Sequence, residues 1–255
     1  MSLALLARCP EPRFDFDGQG QAALLERLDA FMRRVQERGA ESCFGLELKA
    51  AYGLEREWTA GRPETAIPPF RHFFLRPAVE PILLSYQTLL AGLQFDSDQL
   101  DELMSCFHGV PTKRRTSSSR ITPDLIGNSV QFPDWEYAWN YDQRLRCLIP
   151  SIQGTLNQAG FAYAEVLLSH PYSDGNGRLA RSLTIACLSN RYRGLLPLLP
   201  LGPAFYACAP TVTAGLQVLA ATANWSYFMS AFCGLINEAL RLSEIYLFQR
   251  DSGSG

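Results

Sequence analysis

Two helices must meet across a short loop near residue 170, and this junction constrains the fold more than any other feature of the chain. Upstream, Ala162 to Leu168 is mostly apolar and ends at Ser169 and His170, where Pro171 stops a helix because the residue before a proline disfavours the right-handed helical region. Downstream, Leu179, Leu183, Ala186 and Cys187 recur at helical spacing, so a second helix begins near Asn176 or Gly177. The junction reads His170, Pro171, Tyr172, Ser173, Asp174, Gly175, Asn176, Gly177, Arg178, Leu179, Ala180, Arg181. An imidazole, a carboxylate, a Gly-Asn-Gly turn and two arginines three apart are the parts of a phosphate-handling site. The glycines allow a tight turn that brings N–H groups to a ligand, and the following helix points its positive end at the same spot.

Composition sets the frame. The chain has 255 residues, enough for one large domain or one domain with an extension, and 47% hydrophobic content is ample for a core. Twenty-three basic and twenty-five acidic residues leave a net charge of -2, which gives no global pull toward nucleic acid or an anionic membrane. Seven cysteines without C-x-x-C spacing sit mostly among apolar residues and read as buried free thiols in a reducing compartment. The apolar run Leu3 to Ala7 has no basic residue ahead of it, so it reads as neither secretory signal nor anchor, and no run approaches the ~20 residues of a membrane span. A cytoplasmic protein is expected; delivery into another cell is a matter on which the sequence is silent.

Along the chain the expectation is helix after helix. Residues 1–18 read as an irregular lead-in. Gln21 to Glu37 carries an apolar stripe of Leu24, Leu28, Phe31, Met32 and Val35, and a second helix is expected from about Phe44 to Trp58. Pro77 to Leu93 is apolar and helix-forming, and Asp96 or Ser97 caps a helix with Leu100, Leu103, Met104 and Phe107 on its buried side. The basic run Lys113, Arg114, Arg115 reads as a solvated loop, with a steering patch for an acidic target as the alternative. Ile121 to Phe132 mixes β-branched residues with Pro123, Gly127 and Asn128 and reads as a small hairpin or flap. Tyr141 to Leu156 and the stretch into Leu168 resume helical spacing, and Trp225 to Phe248 closes the fold as a helix. Trp135, Trp139 and Trp225 fit core stripes.

The stretch from His170 to Arg181 resembles the signature of the Fic family, H-P-F-x-(D/E)-G-N-G-R-x-x-R, with Tyr172 in place of the phenylalanine. The resemblance implies an all-α Fic-type domain with a small β-hairpin flap that transfers a nucleotide monophosphate, most often AMP from ATP, to a hydroxyl side chain of a target protein. It extends from Pro77 to about Leu247, which implies an N-terminal helical extension over 1–72, a core over 73–247 and a tail over 248–255. His170 is then the candidate base, since a neutral imidazole suits removal of a hydroxyl proton near pH 7. Asp174 is the candidate Mg²⁺ ligand, because that ion is typically held by one or two carboxylates with phosphate oxygens and water. Asn176 with the N–H groups of Gly175, Gly177 and Arg178 would hold the α-phosphate, and Arg178 and Arg181 the leaving pyrophosphate. Tyr172 is assigned to the core, where its hydroxyl needs a partner that phenylalanine would not.

The flap also resembles the family, through Arg120 followed by Ile126 and Gly127. The likeness implies that Leu125, Ile126 and Gly127 pair strand to strand with the target. Many Fic proteins carry an inhibitory helix, (S/T)-x-x-x-E-(G/N), whose glutamate pairs with the second arginine of the signature. Here Glu55 would be that brake on Arg181, although Ala51 and Arg56 stand where the pattern has other residues; a solvated Glu55 is the competing reading, and a separate inhibitor protein would be the other route to restraint. UTP, GTP or CDP-choline as donor, or a catalytically silent interaction module, are the alternative functions.

Overall fold

The structure is a computed structural model that describes residues 5–6, 8–12, 19–37, 97–108, 111–121, 130–149, 155–189, 199 and 201–248. The expected helices at 44–58 and 77–93, Glu55, and the flap residues Leu125, Ile126 and Gly127 lie outside these. The helices, in order, are α1 (Gln19–Glu37), α2 (Ser97–His108), α3 (Trp135–Trp139), α4 (Tyr141–Leu148), α5 (Leu156–Ser169), α6 (Asn176–Ser189), α7 (Leu201–Thr222) and α8 (Trp225–Phe248). Three two-residue strands accompany them: β1 (Leu5–Leu6), β2 (Arg120–Ile121) and β3 (Val130–Gln131).

The core is built around α5, which begins in a capping box: the Gln158 N–H donates to Thr155 Oγ1 at 3.2 Å and the Thr155 N–H to Gln158 Oε1 at 3.5 Å. From Ala159 to Val166 every residue of α5 is buried, so this helix is apolar on nearly all sides and must be enclosed by others. Packing against it, α8 contributes Phe228 and Phe232, with Tyr163 and Phe232 ring centroids 5.5 Å apart and Phe161 5.9 Å from Trp225. Such aromatic pairs add about 0.5–1.5 kcal/mol each beyond the area they bury. The other side of α5 carries α6, which runs back from the junction loop with Leu179, Leu183 and Leu188 buried. Tight packing joins α7 to α8, where a Cβ on Gly215 would stand 3.1 Å from that of Ala231.

Several expectations shift. The helix expected to run on from Tyr141 ends at Leu148, because Ile149 (φ −123°, ψ 67°) precedes Pro150 and leaves the helical region. Helix α7 escaped the sequence reading since Gly202, Pro203, Pro210 and Gly215 interrupt its pattern, yet it runs through Pro210. The lead-in is docked rather than irregular throughout: β1 pairs in parallel with β3, Cys9 is buried, and Trp225 Nε1 donates to the Glu11 carbonyl at 2.9 Å. Trp225 is buried as expected, whereas Trp139 is 36% exposed. Among the described residues no helix is long and apolar enough to cross a membrane.

A substitution at the α7–α8 contact tests this packing. Gly215→Val should separate two helices that now nearly touch and destabilise the protein by about 1–3 kcal/mol, read from the urea midpoint at unchanged m-value.

Candidate active site

The α5–α6 junction is built by local bonds. His170 caps α5 in the left-handed conformation (φ 49°, ψ 57°), which turns the chain out of the helix just before Pro171. Six residues after His170, the buried Asn176 uses both ends of its amide on one residue: Oδ1 accepts the Tyr172 N–H at 3.0 Å and Nδ2 donates to the Tyr172 carbonyl at 2.7 Å. The side chain expected at an α-phosphate closes the loop, and its Nδ2 carries a second N–H beyond this bond. Gly175 turns at φ +84°, and a Cβ there would lie 2.6 Å from Met104 Cε and 2.8 Å from His108 Nε2. Only glycine meets both demands.

The far end of the loop is cationic. The N–H groups of Asn176, Gly177 and Arg178 precede the first intrahelical bond of α6, from the Leu179 N–H to the Gly175 carbonyl at 3.0 Å, so they form the donor end of the helix. Arg178 and Arg181 flank this first turn. The Arg178 Nη2 lies 3.2 Å from Asp174 Oδ2, and the Arg181 Nη1 lies 3.1 Å from where a Cβ on Gly177 would be. Arg181 is buried, with its guanidinium 6.0 Å from the Phe205 ring centroid. Asp174 is 78% exposed at the mouth, with Oδ1 accepting the Gly175 N–H at 2.7 Å. An exposed hard-oxygen ligand beside an anion cradle fits Mg²⁺ carried in with a polyphosphate.

The imidazole at the near end is neutral. The Phe132 ring stacks on His170 with centroids 3.9 Å apart and planes 15° from parallel. Burial first, and then the neighbouring Arg115 cation, push the His170 pKa down to about 4, against smaller upward pulls from the Leu167 carbonyl and Asp174. Nδ1 is buried without a well-formed hydrogen bond among the described residues.

Sequence reasoning misplaced the basic run. Arg114 and Arg115 are not solvated: the first bonds Asp101 at 3.2 Å and Asp142 at 3.1 Å, and the second is 5% exposed against the carbonyls of the loop. Tyr172 is in the core as expected, and its hydroxyl finds both Asp101 and the Tyr141 hydroxyl. His108, which nothing in its helix pattern marks, lies with Nε2 3.4 Å from the Asp174 carbonyl oxygen.

Comparison with known proteins gives the fold. No protein-family model matches the chain, and no curated protein matches it in sequence. Among solved structures, it is similar to a Fic family protein from Desulfovibrio desulfuricans at 14% identity and a TM-score of 0.70, covering 92% of this chain and 76% of that one. Fic-1 from C. elegans matches at 14% identity and a TM-score of 0.57, over 92% of this chain and 73% of that one. A Fic domain containing signaling protein from Bacteroides thetaiotaomicron matches at 13% and 0.50, over 88% and 97%. The fold is therefore the all-α Fic fold.

Two outcomes are expected. Gly175→Ala should strain the loop and collide with Met104 and His108, lowering stability by about 1–3 kcal/mol in denaturant titration. The second follows from the histidine. Because the folded pKa of about 4 lies below the ordinary 6.5, the unfolded chain binds more protons between these values, so the His170 contribution to stability is present above 6.5 and is lost as pH falls toward 4. His170→Gln should flatten the stability–pH curve in that window; an unchanged slope would contradict a depressed pKa.

Proposed function

We propose that this protein is a nucleotidyltransferase that moves AMP from ATP to a hydroxyl side chain of another protein. One observation carries the reading: a neutral, stacked imidazole and a cation-lined helix N-terminus are held six to eight residues apart on opposite ends of one clamped loop. The Fic fold of the chain supports it.

In this reading the acceptor oxygen attacks the α-phosphorus while the bond from that phosphorus to the pyrophosphate oxygen breaks. The hydroxyl proton passes to His170 Nε2. An imidazole with a pKa of about 4 is a weak base, but it is fully unprotonated at neutral pH, and a loose phosphoryl transition state asks little of its base. Negative charge from bound phosphates raises its proton affinity at the moment of need. The first-turn N–H groups of α6 face the charge building on the α-phosphoryl group, and Arg178 and Arg181 hold the leaving pyrophosphate. Asp174 would hold Mg²⁺, which neutralises phosphate charge when bound. Asp174 would release Arg178 in doing so, since the two pair at 3.2 Å.

The site residues grip phosphate and none of those described reads a base, so UTP, GTP and CDP-choline belong among the donors tested. The target side is framed by the small sheet, whose order is β1-β3-β2. With β3 enclosed, a target strand pairs along β2 at Arg120–Ile121 or displaces β1. Glu55 acting on Arg181 would be a brake on the same reaction.

His170→Ala should cut transfer about 10²- to 10⁴-fold with ATP still bound, and transfer at the wild-type rate would remove the base. By calorimetry, Arg178→Ala should weaken ATP by about 1.5–3 kcal/mol and AMP much less, because only ATP carries the phosphates assigned to it. Equal weakening of both would assign Arg178 to the α-phosphate or to the fold.

A further inference from the structure

Arg115 stands fifty-five positions before His170 and is the residue that ties its surroundings together. Its Nε donates to the His170 carbonyl at 2.7 Å and its Nη2 to the Ser169 carbonyl at 3.2 Å, so the guanidinium sits on the C-terminal end of α5, where a cation is favoured. The same Nη2 donates to the Pro133 carbonyl, and Nη1 to the Ser117 carbonyl at 2.8 Å. Its backbone N–H donates to the Pro171 carbonyl at 2.9 Å, and its own carbonyl accepts from Trp139 Nε1 at 2.6 Å. One side chain therefore grips the backbone on both sides of the imidazole: residues 169 and 170 that carry it, and residue 133, next to the Phe132 ring that stacks on it.

We propose that Arg115 is a positioning residue, whose fork fixes the His170 ring between its backbone and Phe132 and so aims Nε2 at the reacting hydroxyl. The proposal rests on His170 being the base of the transfer reaction. A buried guanidinium bonded to four carbonyls is a planar template: its donors point in fixed directions, which an ammonium cannot reproduce. Burial opposes its charge, with a smaller opposing pull from Asp134. Asp134 and Asp174 are the carboxylates that face Arg115 and His170 respectively, and neither replaces the carbonyl contacts.

The test compares Arg115→Met and Arg115→Lys with the wild-type chain in two readouts. Steady-state transfer from ATP should show kcat lowered roughly 100-fold in Arg115→Met, as for a base displaced by about 1 Å, with KM for ATP unchanged because the phosphate grip lies on α6. Arg115→Lys should fall between the two, since it keeps the charge and loses the fork. In NMR spectra the His170 ring protons, shifted upfield by the stacked Phe132, should move toward free-histidine positions in both variants. If Arg115→Met does not fold, Arg115→Lys alone decides. Wild-type kcat and wild-type ring shifts in Arg115→Lys would overturn the proposal, as would a parallel rise in KM that marks a merely structural role. A His170→Ala control separates the two ideas: full transfer by that variant removes the base, while the ring shifts still report whether Arg115 holds the imidazole.

Discussion

The pair of hydrogen bonds between the Asn176 amide and the Tyr172 backbone is the constraint on which the rest of the site depends. It closes a ring across the loop and fixes the distance between the end of α5 and the start of α6. Without it the imidazole and the helix N-terminus would be two unrelated features of a helical bundle. Breaking either bond without a replacement would leave a buried amide short of a partner, at a cost of about 1–3 kcal/mol, so the clamp stays closed in the folded state.

Around this clamp the protein spends polar groups where an ordinary core would be apolar. Arg114 joins Asp101 and Asp142, Tyr172 adds its hydroxyl to Asp101, and Arg144 reaches Glu165 at 2.7 Å and Ser169 Oγ at 2.8 Å. Burial first, with Tyr141 and Asp101 beside it, pushes the Tyr172 pKa up, so that hydroxyl keeps its proton and remains a donor. Buried ion pairs of this kind are weak evidence of stability, since desolvation offsets most of the attraction. Their directional bonds instead set the register of α2, α4 and α5 beneath the loop, a hypothesis that a Tyr172→Phe variant with a displaced loop would support. The Asp101 carboxylate and the Tyr141 hydroxyl are also why tyrosine rather than phenylalanine works at position 172.

How much of this was legible follows the range of each interaction. The end of α5, the start of α6 and the placing of Arg178 and Arg181 on its first turns came from local rules: a proline, two glycines and a helical stripe. The all-α fold came from the same patterning with the signature. Arg114 and Arg115 were misread, because a run of basic residues looks solvated until its partners are known, and Asp101 and the His170 carbonyl lie thirteen and fifty-five positions away. Phe132 over His170 was invisible for the same reason, and α7 was hidden by Pro210 and the glycines that its close packing on α8 exploits. Asn176 shows a subtler limit: its position was found but the two bonds by which it closes the loop were not, since a motif names residues without saying what each atom bonds.

The central claim is that this junction cleaves between the α- and β-phosphates of a nucleotide and keeps the α side. It is tested most directly by incubating the purified chain and cell lysate with Mg²⁺ and either α-labelled or γ-labelled ATP, then following label on protein. The account predicts protein-bound label from the α position only, with the γ label released in pyrophosphate and both outcomes absent in His170→Ala. Label transferred from the γ position, or none from the α position of ATP, would contradict it.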